Sequence, residues 1–437
     1  MGTPPQIPSF IDELQWRGML HQCTDETALR KHLADPKSGA RKAYVGFDPT
    51  ADSLTIGNLV PIMMLVHFAR AGHTPVVVMG GGTGLIGDPS GKSAERELLG
   101  DEKVRANVES QRGIFRRVFS GAGLAEPPTV NNADWLSKLG YIEVLRDVGK
   151  HFSVNQMIQR DSVKNRLESR EQGISYTEFS YMILQAYDFL HLYRADGVTL
   201  QMGGSDQFGN IVSGCDLIRR AGARGEIEGE SFGLTAPLIT KADGGKFGKT
   251  EAGAVWLSAH RTSAYAYYQF WLNAADADVG KFLRTFTLLS KHEIESLEAE
   301  QAKNPGARAA QRALARAATD LLHGAAARES AEAAAAALFS GDVSTLPLET
   351  LTEALAAAPS SKHPKASLSG GTPLLEILVQ TLCKSKSEAR QALTDGSVSV
   401  NGRKAALADA LTSADLLHGT IIALRRGKKN WHVTRWE

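Results

Sequence analysis

Pro75 to Met79 is an unbroken apolar run, PVVVM, that passes directly into three glycines, Gly80 to Gly82. Branched apolar residues without alternation read as a strand buried on both faces. Glycine at its carboxyl end lets the chain turn sharply and leaves the backbone open to close approach. Upstream, Ala43 to Phe47 is a second short run ending in a turn at Asp48-Pro49. Between them Leu59 to Arg70 reads as a helix with a broad apolar face, stopped at Gly72. Strand, helix, strand in that order predicts an α/β fold with a doubly wound parallel sheet, whose ligands sit beyond the carboxyl ends of the strands.

At 437 residues the chain is too long for one ordinary core, and two or three domains are expected. Residues 9–34 and 174–193 read as helices, and Val198 to Met202 as a strand. Residues 262–342 are helix-rich, with a stretch at 306–338 dominated by alanine, arginine and leucine. Prolines, serines and glycines then mark 346–371 as a linker, and 372–437 as a small separate module.

Charged residues at 22% and hydrophobics at 43% give a soluble globular balance. No apolar run reaches the length of a membrane span. The N-terminal residues lack the basic start and apolar core of an export signal. Cys23, Cys215 and Cys383 are far apart, with neither metal spacing nor a disulfide framework, which fits a reducing cytoplasm. The histidines at 67, 73, 151 and 191 match no ligand set, so no protein metal site is expected. From Lys384 onward ten bases face five acids, a tail of +5 on a chain of net +1. A basic tail on a slightly acidic body reads either as a nucleic-acid contact or as a solvated surface.

Three glycine-bearing loops follow strands or strand-like runs. Gly80 to Ser93 nearly contains a P-loop, but the residue at the required distance from Gly91-Lys92-Ser93 is Ile86, and Pro89 removes a backbone donor. It reads as a nucleotide or amino-acid pocket with Asp88 as a polar contact, or as an empty glycine turn. Gly203-Gly204-Ser205-Asp206-Gln207 presents an acid and an amide after a tight turn, suited to a ribose or a zwitterion. Lys246-Phe247-Gly248-Lys249-Thr250 carries two lysines three apart on a glycine hinge, enough to bring two ammonium groups to one polyphosphate. In helix 174–193, Tyr181, Gln185 and Asp188 fall on one face.

These blocks, together with Tyr44 to Leu54 (YVGFDPTADSL), Asn131 to Trp135 (NNADW), Val148 to Asn155 and Tyr176 to Met182, resemble bacterial-type tyrosyl-tRNA synthetases, class I enzymes, over nearly the whole chain. The resemblance implies a Rossmann-like catalytic domain at 1–235 with a dimer-forming insertion at about 120–180. It implies an α-helical, tRNA-contacting domain at 236–345 and a small α+β RNA-binding domain at 372–437. The implied reaction joins tyrosine to its tRNA through tyrosyl-adenylate, with ATP and Mg2+ entering as substrate and no tightly bound cofactor. The tyrosine carboxylate is already ionised, so activation needs charge and position rather than a base.

By the same resemblance, Lys246, Lys249 and Thr250 form the lysine loop, and Lys92 and Arg96 are a second basic contact. Thr50 meets the γ-phosphate side. Gly46, Asp48, Gly57, Gly204 and Asp206 serve ATP. Tyr44 and Asp188 take the tyrosine hydroxyl; Asp88, Tyr181 and Gln185 take its ammonium, and Gln207 lies near its carboxylate. Lys384, Lys386, Arg390, Arg425, Arg426, Lys428 and Lys429 are implied tRNA contacts, and a homodimer is implied with Tyr176 and Phe179 at its face. One signature departs: where the family has His-Ile-Gly-His, this chain has Thr55-Ile56-Gly57-Asn58. Thr55 and Asn58 can still donate to phosphate at a helix N-terminus. Two other classes stay open: an adenylate-forming enzyme that uses no tRNA, and an RNA-binding protein with a retired site.

Overall fold

The computed structural model describes residues 9–88, 99–160, 163–164, 167, 174–223, 225, 229–245, 247–250, 253–356, 358–428 and 430–437. Two compact units are present. One comprises the chain to Thr262 together with Asn273–Leu322; the other comprises Ser263–Leu272 and His323–Glu437.

The first unit is built on a six-stranded sheet: β1 (Gln22–Cys23), β2 (Lys42–Phe47), β3 (Thr74–Met79), β4 (Thr129–Asn131), β5 (Val198–Gly204) and β6 (Phe232–Ala236), in the order β1-β6-β5-β2-β3-β4. All neighbours are parallel except β1, which is antiparallel to β6. The chain builds outward from β2 to β3 and β4, then restarts on its other side with β5 and β6. A crevice therefore opens between β2 and β5, where the flanking connections diverge. β2 and β3 pair in flush register, from Lys42 opposite Thr74 to Phe47 opposite Met79. Both strands thus end level, and Gly80 N donates to Phe47 O at 2.9 Å. A side chain at Gly80 would meet Asp48 Oδ1 at 2.5 Å, so the glycine lets the Asp48 carboxylate lean across the strand end.

Helix Leu59–Arg70 has nine of its 12 residues buried, as expected of a helix enclosed by protein on nearly every side. It packs on the sheet, on helix Phe10–Arg17 and on helix Asp276–Phe286. Arg17, 3% exposed, ties these last two together. Its guanidinium donates to the carbonyls of Arg284 (2.8 Å), Thr287 (3.0 Å) and Leu289 (2.8 Å). Glu13 balances the charge at 2.6 Å.

Two expectations change. Residues 9–34 are not one helix: Gly18 adopts φ 70° and ends Phe10–Arg17, β1 follows, and Asp25 caps a second helix, Glu26–Ala34. Nor is 346–371 a bare linker. It carries helix Leu348–Ala354 and strand Ser360–His363, which pairs in parallel with Asn430–Trp436.

The second unit holds a five-stranded sheet in the order Arg403–Lys404, Val398–Val400, Ile421–Arg426, Asn430–Trp436, Ser360–His363. One face packs Ile422, Leu424 and Trp436 against helices Leu374–Thr381 and Lys386–Thr394. The other packs Ile421, Ala423 and Val433 against Ala334 and Ala337 of helix Ala325–Ser340 and Leu351 of Leu348–Ala354. Among the described residues no helix is long and apolar enough to cross a membrane.

Candidate active site

A cavity of about 650 Å³ opens at the carboxyl ends of β2, β3 and β5, bounded by the turn before helix Leu59–Arg70 and by the loop from Pro237 to Phe247. Its innermost end is made by Tyr44 and Asp188. Asp188 is 4% exposed and accepts hydrogen bonds from Asn132 Nδ2 (2.8 Å) and Trp135 Nε1 (2.7 Å). Burial pushes its carboxyl up to about 7; the two donors pull it down, and the Asp48 charge adds to the rise. Burial also drives the Tyr44 phenol well above its usual range, with Asp188 adding to the effect. Tyr44 packs edge-on against Phe189 at 5.5 Å, and its hydroxyl has no hydrogen-bond partner among the described residues. A buried acceptor and an orphaned hydroxyl thus face a common space, the condition that favours a polar ligand atom between them.

One step outward, polar side chains chain together. Gln207 Nε2 donates to Asp88 Oδ2 at 2.7 Å, and Gln185 Nε2 donates to Gln207 Oε1 at 3.3 Å. Tyr181 donates to the Asp48 carboxylate at 3.3 Å, and Thr83 to its Oδ1 at 3.2 Å. Tyr181, Gln185 and Asp188, one helical face by spacing, all line the cavity. So do Gly46, Thr50, Gly204 and Asp206. A Cβ at Gly46 would enter open space, and one at Gly57 would meet only Thr55 Oγ1 at 3.7 Å. The protein itself leaves room at both positions.

The outer end is the helix N-terminus. Thr55 N and Thr55 Oγ1 both donate to Asn58 Oδ1, each at 3.0 Å. Of the two residues expected to donate to phosphate, Thr55 is thus engaged within the turn. The Thr55 hydroxyl hydrogen is committed to Asn58, and the amide Nδ2 of Asn58 is the donor left over. Across from it the lysine loop is well anchored. Phe247 stacks on Phe286 at 5.2 Å, and Ala242 N donates to Asp278 Oδ1 at 2.9 Å. Gly248 has φ 76°, and a Cβ there would strike Ile56 at 2.5 Å, so the hinge position tolerates only glycine. Lys249 is exposed on the short strand Lys249–Thr250. Lys92, Arg96, Lys246, Lys429 and the Thr250 side chain lie outside the described residues.

A family model described as tRNA synthetases class I (W and Y) matches residues 37–340. A second, described as the tyrosine–tRNA ligase SYY-like C-terminal domain, matches residues 353–434. The chain is 48% identical over 432 residues to tyrosine–tRNA ligase 2 of Enterococcus faecalis, covering 98% of this chain and 99% of that one. The chain belongs to the class I tyrosyl-tRNA synthetases. It is equally 48% identical over 432 residues to the tyrosine–tRNA ligase of Bacillus caldotenax. Among solved structures, the C-terminally truncated mitochondrial tyrosyl-tRNA synthetase of Coccidioides posadasii superposes with a TM-score of 0.65 at 33% identity, over 74% of this chain and 91% of that one. Its counterpart from Aspergillus nidulans gives 0.68 at 30% identity, over 76% and 94%.

Among residues not singled out as site residues by sequence, Asn132 and Thr83 line this synthetase's cavity, and Trp135 supports Asp188 from behind it. Asn132 and Trp135 lay within a matched block, but only the fold brings them to Asp188. In the second unit, two of the seven implied tRNA contacts turn inward. Arg425 donates to the carbonyls of Leu338, Phe339 and Ser340 at 3.2–3.4 Å. Arg426 pairs with Glu388 at 2.6 Å and donates to Leu382 O at 3.1 Å. Lys384, Lys386, Arg390 and Lys428 are exposed.

The raised carboxyl of Asp188 has a consequence for stability. The unfolded acid titrates near 4 and the folded one at about 7. Its contribution is therefore complete below about pH 4, is lost as pH rises through 7, and is flat beyond. Relative to Asp188→Asn, the ligand-free parent should lose up to about 4 kcal/mol between pH 4 and pH 7. Chemical denaturation at stepped pH measures this; parallel curves for parent and variant would refute the shift.

Proposed function

We infer that this synthetase attaches tyrosine to tRNA in two steps. The tyrosine carboxylate attacks the α-phosphate of ATP and expels pyrophosphate; the acyl group then passes to the terminal ribose of the tRNA. The observation that carries the amino acid's identity is the inner end of the cavity. There the phenol hydroxyl donates to Asp188 and accepts from Tyr44, satisfying both groups at once. Phenylalanine leaves both unpaired, and tyrosyl enzymes are already known to reject it by about 10⁵ without editing. The substrate ammonium meets Asp88, Tyr181 and Gln185, with Gln207 beside the carboxylate.

ATP occupies the outer half. Adenine lies over Gly46 and Gly57, where side chains are absent and space is open. Asp206, beside Gly204, takes the ribose, and Asp48 closes the strand end between the two substrates. The triphosphate runs along Thr50 and the Thr55–Asn58 turn toward Lys249, with Lys246, Thr250, Lys92 and Arg96 assigned by sequence alone. ATP enters as its magnesium complex. Such an ion commonly keeps several waters and takes phosphate oxygens as ligands. The helix end and the loop act on charge that develops as pyrophosphate departs.

The exposed Lys384, Lys386, Arg390 and Lys428, with Lys429 by sequence, meet tRNA phosphates; Arg425 and Arg426 support that surface from within. Tyr141, Ile142, Val154 and Tyr176 are each more than half exposed, an apolar surface that supports a homodimer through this segment. Phe179 is half-buried and packs with Met157, Val163 and Met182, leaving Tyr176 as the outward member. Three free cysteines support a cytoplasmic setting.

Tyrosine alone, and not phenylalanine or tryptophan, should drive exchange of labelled pyrophosphate into ATP; a folded chain that exchanges with none of them would overturn the assignment. Lys386→Glu with Arg390→Glu should weaken tRNA binding at least tenfold and shallow its salt dependence, while exchange stays within twofold. Equal loss of exchange would contradict the division of labour. Sedimentation should find a dimer that Ile142→Asp converts to monomer; a monomeric parent would refute the interface.

A further inference from the structure

The outer end of the cavity is closed by a strip that lies outside the main sheet. Leu54 to Ile56 runs antiparallel to Val255 to Leu257, with Thr55 opposite Trp256. Ile56 N donates to Val255 O, and Leu257 N to Leu54 O, each at 2.9 Å. Val255 N donates in turn to Gly248 O at 2.9 Å, so the strip is continuous with the lysine loop. A side-chain rung follows: Ser258 N donates to Ser53 Oγ at 3.1 Å.

Just past that rung stands a charged cluster. Arg261 Nε donates to Asp52 Oδ1, and His260 Nε2 lies 3.3 Å from Asp52 Oδ2. The Arg261 guanidinium also covers the Trp256 ring, 4.6 Å from its centroid. Trp256 lines the cavity, and its backbone N donates to Thr262 Oγ1 at 2.9 Å. The Asp52 end is itself fixed, because its carbonyl accepts from Ser110 Oγ at 2.6 Å and that of Ala51 from Gln111 Nε2 at 2.8 Å. Arg261 thus joins three things: the turn leading to the helix N-terminus, an aromatic wall of the cavity, and the return strand of the loop that carries Lys249.

We propose that Arg261 is a positioning residue for adenylate formation, clamping the lysine loop to the helix N-terminus through Asp52 and Trp256. This rests on the ATP placement given above. The helix end of this chain offers only neutral donors, so transition-state charge falls more heavily on the loop lysines, and their distance from Thr55 and Asn58 becomes critical. A displacement of about 1 Å costs on the order of 100-fold in rate. An ion pair whose side chains are 38% and 33% exposed contributes little to global stability, so the clamp is separable from folding.

Single-turnover adenylate formation and steady-state pyrophosphate exchange, each with tyrosine and ATP, test it in Arg261→Ala, Asp52→Ala, the double variant and Arg261→Lys. Each alanine variant should lower kcat roughly 10- to 100-fold. The KM for tyrosine should stay within twofold and the unfolding midpoint should not move. The double variant should be no slower than the slower single one, because both remove one clamp. Arg261→Lys should recover part of the rate, since an ammonium reaches Asp52 without covering Trp256 as a planar group does. An alanine variant within twofold of the parent, losses that multiply in the double variant, or a tyrosine KM that rises with a falling unfolding midpoint would each overturn the proposal. A parent without exchange would overturn the function itself, and the clamp with it.

Discussion

A carboxylate held away from water is the constraint around which the inner site is organised. Asp188 sits on helix Tyr176–Asp196, while its donors are Asn132, directly after β4, and Trp135 of the short helix Ala133–Leu136 that Asn132 begins. An acid in such a place either keeps a proton or gathers donors. The fold supplies two donors and stops short of full compensation, so the carboxyl stays near neutrality in its affinity for a proton. His191 stacked on Trp135 at 4.5 Å keeps the indole in line. Under the function proposed above, discrimination follows from incompleteness: the Tyr44 hydroxyl beside Asp188 has no partner among the described residues.

The outer end of the cavity, to which the proposal assigns the phosphates, is arranged in the opposite way, with charge on a loop and packing behind it. Phe247 is fixed by Phe282 and Phe286, and their helix, Asp276–Phe286, is capped at its carboxyl end by the buried Arg17. A guanidinium that spans three carbonyls in the core leaves that helix little freedom to shift.

What could be read in the chain follows from the range of the interactions. The strands β2, β3 and β5, helix Leu59–Arg70 and the helical face of Tyr181, Gln185 and Asp188 depend on local periodicity and turn chemistry, and the residues state both. The lysine loop stands out in the sequence because few chemistries want two ammonium groups on a glycine hinge. Strand Ser360–His363 was not, because its partner lies some seventy residues on and its composition is that of a linker. The break at Gly18 is hard to read because one glycine and a two-residue strand separate two short helices of mixed composition. Arg425 and Arg426 look like any basic tail residue; only the fold shows that helix carbonyls and Glu388 occupy them. The link from Asp188 to Asn132 and Trp135 has no periodicity, being made by a loop and a helix that meet across a sheet.

The path of the chain between the two units has a consequence for synthesis on the ribosome. It enters the second unit at Ser263, returns at Asn273 and leaves again at His323. Helix Ala264–Leu272 therefore emerges well before its mates in that unit. Its buried Tyr267 packs edge-on against His323, and the helix packs on Ala325–Ser340 and Leu348–Ala354, all of which follow later in the chain. For some fifty residues of elongation, Asn273 to Leu322, the nascent chain carries an apolar helix ahead of these mates while the first unit is still being completed. Such an interval is where a nascent-chain chaperone gains purchase.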